Sequence, residues 1–184
     1  IIDLDLVPII EKIILDCPKV EKLVILCSKA DLPSTKFSEV ISYEELLSIG
    51  GENFEWIKGE ETDACGICYT SGTTGNPKGV VYTHRSNTLH ALTQAAPDML
   101  NLSSSDTIMP VVPLFHANGW SIAYTAPLVG SSIVFPGGDL SPSSLYNMLE
   151  KGVTITAAVP TVWLLLLNFL ESEKKELSSL KRVV

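Results

Sequence analysis

Apolar positions recur in two rhythms along the chain. Over residues 8–16 isoleucine pairs alternate with charge, the spacing of an amphipathic helix. Residues 22–28 enclose LVILC, a short branched run that reads as a buried strand. Residues 64–70 predict a second strand, and Val80 to Tyr82 a strand edge. Thr83 or Ser86 would cap a helix over about 87–98. A strand at 106–112 should end at Pro113, and a buried helix over 120–128 should stop at Gly130. A strand at 131–137 precedes a helix opened by Ser141-Pro142 and ended by Gly152. A strand at 153–159 then leads into a helix from Pro160 to about Glu171. Residues 180–184 resemble the first residues of another buried strand. Strand and helix alternating at this spacing imply crossover units, and so an α/β fold: a largely parallel sheet with flanking helices.

Composition narrows the classes. The chain has 184 residues, 46% hydrophobic and 18% charged, which suits a globular domain with a real core. A net charge of −8 argues against nucleic acid as a partner. Residues 39–63 hold eight acidic side chains against one basic, Lys58, and read as a solvated connection with one short helix around 43–47. The apolar run at 162–167 is far below the ~20 residues of a membrane span, so no transmembrane segment is expected. The N-terminus lacks the basic region of an export signal. Cysteines 17, 27, 65 and 68 are therefore expected to be reduced thiols in a cytoplasmic protein. The absent initiator methionine and the abrupt end at Val184 suggest a piece of a longer protein.

The candidate chemistry lies in YTSGTTGNPKGVVYTHRS, residues 69–86. Glycines let several backbone N–H groups converge on one anion, and hydroxyls can donate to phosphate or join a magnesium shell. Lys78 adds a compact positive charge. A Walker loop requires GxxxxGK[ST]. Counted from Gly72 the sixth position is Pro77, and Lys78 follows proline, so this is a different loop. On these residues alone a phosphate cradle and a plain surface turn both stand. Cys65 and Cys68 form a CxxC pair, but no second ligand pair accompanies them. In a strand they would project to opposite faces as ordinary residues. His84 and His90 read as structural, and Arg85 as either an ion-pair partner or a phosphate contact.

The whole eighteen-residue stretch resembles the signature of the adenylate-forming superfamily, which includes acyl-CoA synthetases, luciferase and nonribosomal adenylation domains. A second segment, VVPLFHANGW at 111–120, resembles that family's PxFH motif. Its HxNxW ending is most similar to medium- and long-chain fatty acyl-CoA synthetases. VPTVW at 159–163 matches a further family segment and is read as structural.

The resemblance implies that residues 1–184 are part of the large N-terminal AMP-binding domain of an adenylate-forming enzyme. Residues 1–63 would supply a helix, a strand and the acidic connection, and 64–184 the phosphate-loop and acyl-pocket region. Thr70, Ser71, Gly72, Thr73, Thr74, Gly75 and Lys78 would hold the phosphates of ATP, with the Thr70 hydroxyl a ligand of Mg2+. Lys78 and His116 would be catalytic. Ala117 and Trp120 would line the adenylate pocket, and His116, Asn118 and Trp120 the acyl pocket. The implied reaction joins a fatty or other carboxylic acid to ATP as an acyl-adenylate, then to coenzyme A as a thioester. The resemblance also allows a homodimer of the full-length protein. The family's YGxTE and TGD segments are absent from these 184 residues, so the isolated chain is expected not to turn over. Two alternatives follow: a non-catalytic nucleotide-binding module, or an amino-acid or aryl-acid adenylation domain.

Overall fold

The computed structural model describes residues 1–51, 53–72 and 75–184. They form two compact units, Ile1–Ile57 and Lys58–Val184.

In the first unit three short strands lie in a parallel sheet of order β1-β2-β3: β1 (Ile2–Asp3), β2 (Leu23–Leu26) and β3 (Val40–Ser42). Helix α1 (Val7–Ile13) continues as a 3-10 turn through Asp16, close to the expected 8–16. Leu23, Ile25 and Val7 form the core of this unit. The solvated connection expected at 39–63 is corrected at its start, because β3 pairs along β2 and Ser42 is fully buried. Ser42 caps α2 (Tyr43–Ile49): its hydroxyl accepts from the Glu45 N–H while the Glu45 carboxylate accepts from the Ser42 N–H. The acidic run thus starts a helix as well as solvating a surface.

The second unit opens with β4 (Ala64–Thr70) and β5 (Lys78–Thr83), an antiparallel pair. The strand at 64–70 was expected within a largely parallel sheet. It instead pairs antiparallel with β5, and Lys78 begins the returning strand. Helix α3 (His84–Ala95) starts three residues earlier than expected. Thr83 and Ser86 share the cap, the Thr83 hydroxyl accepting from the Ser86 N–H and the Ser86 hydroxyl from the Thr83 N–H.

The remaining strands, β6 (Thr107–Val111), β7 (Ser132–Ile133), β8 (Ile155–Ala158) and β9 (Arg182–Val183), form one parallel sheet of order β7-β6-β8-β9. Helix α4 (Ile122–Val129) covers one face, where Ile122 and Ala126 meet Ile108, Ile155 and Ala157. Helices α5 (Pro142–Leu149) and α6 (Pro160–Glu173) cover the other, where Leu145, Leu149 and Leu166 meet Met109, Val111 and Ala158. Successive strand residues face opposite layers, so Ile108 and Met109, both fully buried, serve different cores. The connection after β6 runs to one side and that after β8 to the other. Crevices for ligands form outside the carboxyl ends of strands where the order reverses in this way.

Asp106 locks this sheet. Only 6% of its side chain is exposed. It accepts from the Ser103 backbone and hydroxyl, the Thr154 hydroxyl and Arg182 Nη2 at 3.1 Å. Burial pushes its pKa up, but these donors outweigh burial and hold it below the usual carboxylate range.

Candidate active site

The hairpin register brings Thr70 directly opposite Lys78. Opposed residues of an antiparallel pair share a face, with Cβ atoms about 4.5–5.5 Å apart. The two side chains therefore leave the hairpin on one face at the mouth of the loop. Lys78 and Ser71 are exposed and Thr70 is half-buried. Gly72 adopts φ +63°, and a Cβ there would lie 2.7 Å from the Asn76 carbonyl oxygen. Only glycine fits that position without moving the chain. Gly75 has φ +95° but open space around it. Thr73 and Thr74, also expected to hold phosphate, lie outside the described residues.

His116 follows the carboxyl end of β6, at the crevice the topology creates. It is exposed, as are its apolar neighbours Leu114 (50%) and Phe115 (78%). The expected right-handed helix over 120–128 begins only at Ile122. Ahead of it, Ala117, Asn118, Gly119, Trp120 and Ser121 all have φ between 47° and 60°. This is a left-handed turn, closed by Gly119 N–H to the His116 carbonyl (3.0 Å) and Ser121 N–H to the Ala117 carbonyl (3.1 Å). Left-handed geometry costs an L-residue roughly 1–2 kcal/mol, least for glycine and asparagine.

Three contacts hold the turn. Trp120 packs against the Ile108 and Ile122 core, so its ring is at least partly structural. Buried Ser121 shares a 2.6 Å hydrogen bond with His90 Nδ1 of α3. The Cys68 thiol of β4 donates to Asn118 Oδ1 at 3.4 Å, which ties the hairpin to the turn. Asn118 Nδ2 is buried and has no hydrogen-bond partner among the described residues.

His90 is thus structural, as expected, and Cys65 and Cys68 occupy opposite environments, one exposed and one buried. Arg85 pairs with Glu61. The Arg85 hydrogen bond pulls the Glu61 carboxyl below its ordinary value, and Glu61 raises the guanidinium in return. Residue patterns gave no sign of Cys68 reaching Asn118, or of Thr70 facing Lys78; the first needs the fold and the second the hairpin register. Among the described residues, no group of three His, Cys, Asp or Glu gathers to hold a metal. A recess of about 430 Å3 lies between α3 and α4 beside Cys65. Cys65 is five residues along β4 from Thr70, on the order of 17 Å at strand spacing, so that recess is remote from the loop.

The chain matches the family model described as AMP-binding enzyme over residues 6–184. A medium-chain-fatty-acid–CoA ligase of Ectopseudomonas oleovorans is 44% identical, over 100% of this chain and 34% of the relative. A long-chain-fatty-acid–CoA ligase of Thermus thermophilus is 43% identical, over 99% of this chain and 32% of the relative. Among solved structures, a long-chain-fatty-acid–CoA ligase from Archaeoglobus fulgidus superposes with a TM-score of 0.73 at 31% identity, covering 95% of this chain and 37% of that one. The chain spans about a third of the length of the curated relatives it matches.

Proposed function

Since the chain belongs to the AMP-binding enzyme family, we propose that it supplies the phosphate loop and part of the acyl pocket of an ATP-dependent fatty acid:CoA ligase. The observation that carries this reading is the pairing of Thr70 with Lys78 at the mouth of a loop whose Gly72 can only be glycine.

The reaction has two steps. A carboxylate oxygen attacks the α-phosphorus of ATP, a P–O bond to the β-phosphate breaks, and pyrophosphate leaves with the electron pair. The thiolate of coenzyme A then attacks the acyl carbon of the adenylate and AMP leaves. The physical obstacle to the first step is repulsion between carboxylate and polyphosphate. Lys78 and the N–H groups of residues 71–76 would hold the phosphates and stabilise charge as it develops on the leaving oxygens. Donors held in place by bound ATP would leave little reorganisation for the transition state. The Thr70 hydroxyl is a hard oxygen of the kind Mg2+ prefers, and it would hold the ion that accompanies the nucleotide. Magnesium bound there would supply further positive charge on the phosphate oxygens. His116 would orient the acid at the carboxyl end of β6, with Ala117, Asn118 and Trp120 bounding the pocket. The exposed Leu114 and Phe115 beside His116 offer apolar surface suited to an alkyl chain. The four cysteines are unpaired, which fits a reducing cytoplasm.

The test is ATP–pyrophosphate exchange by the complete protein with a panel of acids. Medium- and long-chain fatty acids should drive exchange, and coenzyme A should convert the adenylate to a thioester. Exchange driven only by amino or aryl acids would reassign the substrate. ATP binding with no exchange would mean a nucleotide-binding module.

A further inference from the structure

We propose that Cys68 is a positioning residue whose thiol fixes the orientation of the Asn118 amide, so that Nδ2 stays free to donate to the bound acid. This rests on the proposed acid-binding role of the turn. A carboxamide can present its oxygen or its NH2 in either direction, and its neighbours decide which. Here the Cys68 S–H donates to Oδ1 at 3.4 Å, which leaves the NH2 as the unspent end. That NH2 is buried and unpartnered among the described residues. A buried donor left unpaired costs about 1–3 kcal/mol. An oxygen of the acid or its adenylate would remove that cost on binding, so the defect in the free protein becomes affinity in the complex. The backbone supports the same role: Asn118 sits at φ 54°, ψ 42°, a left-handed conformation asparagine tolerates better than most residues. Cys68 is only 9% exposed and lies two residues before Thr70, inside the pairing with β5. The thiol is therefore held by the hairpin, and the hairpin fixes the amide.

Three variants of the complete protein separate the hydrogen bond from packing. Cys68→Ser keeps a donor, Cys68→Val fills the space without one, and Asn118→Asp keeps the oxygens but loses the NH2. A neutral hydrogen bond contributes about 0.5–1.5 kcal/mol, so Cys68→Val should raise KM for the fatty acid roughly 2- to 12-fold. KM for ATP and kcat should stay within about twofold. Cys68→Ser should recover acid KM to near wild type, and Asn118→Asp should raise it at least as far as Cys68→Val. A valine variant with wild-type acid KM, or a serine variant no better than valine, overturns the proposal. A second readout is independent of turnover: the Raman S–H stretching band of Cys68, identified by its loss in Cys68→Ser. It should lie at a hydrogen-bonded frequency, and a free-thiol frequency overturns the proposal. If wild type drives no exchange with any acid, the proposed function fails while the band still decides the contact.

Discussion

Gly72→Ala is the substitution whose cost can be worked most directly from the geometry. The residue sits at φ +63°, where an alanine pays roughly 1–2 kcal/mol. Its Cβ would stand 2.7 Å from the Asn76 carbonyl oxygen, a backbone atom that cannot swing aside. Forcing in an atom of that size costs about 1–3 kcal/mol. The lower entropy of the unfolded alanine chain returns about 0.4–1 kcal/mol. The net is about 1–5 kcal/mol against the observed loop shape, near 3 kcal/mol at the middle of these ranges. An unliganded hairpin tip can relax to avoid most of it, so thermal stability should fall little. The bound loop cannot relax if its N–H groups must converge on phosphate. The loss should therefore appear as ATP affinity lowered roughly 5-fold at the least and about 100-fold at mid-range, read by titration calorimetry on the complete protein. Gly75→Ala is the control: φ is +95° but nothing among the described residues lies within 4 Å, so only the conformational cost remains, a loss of about 15-fold at most. Equal losses at the two positions, or wild-type ATP affinity in Gly72→Ala, would refute the cradle.

Lys78→Ala should weaken MgATP binding by at least tenfold in the complete protein while its melting temperature moves little, because the side chain is exposed; unchanged affinity removes the lysine from the phosphate site. Asp106→Asn should destabilise the sheet by roughly 2–3 kcal/mol at pH 7, discounted because Arg182 is 35% exposed, as measured by urea unfolding. The Asp106 pKa is lowered on folding, so its contribution is full above the unfolded value of about 3.9 and is lost as pH falls through the lower folded value. The gap between wild type and Asp106→Asn should accordingly close below about pH 4, and a gap constant down to pH 3 would contradict the assigned contacts.

Much of the fold was legible because its signals are local. Ser141-Pro142 opens α5 and Gly130 closes α4, since caps and stops act within one turn. Buried parallel strands such as β8 announce themselves as apolar runs. The strand β3 escaped because three residues inside an acidic stretch carry too little pattern, and its pairing with β2 is decided by tertiary structure. Trp120 was misread for another reason: hydrophobic spacing reports how often a side chain faces the core, and carries no information on the hand of the backbone. The glycine-rich loop itself was readable by composition, and its proposed phosphate role by resemblance. Its placement on an antiparallel hairpin, and hence the Thr70–Lys78 pair, follows from register, which short strands encode weakly.

The left-handed turn bears on which amino acids this segment can accept. From Ala117 to Ser121 the chain follows a path that a mirror-image residue would find easier than a natural one. Valine, isoleucine and threonine, stiff at Cβ, are the poorest candidates for any of these five positions, whatever their polarity. A chemically made chain with D-alanine at position 117 should be more stable than the natural one. The letters ANGWS therefore record a handedness, and handedness alone would narrow the variation open to this stretch, even at positions that never meet a ligand.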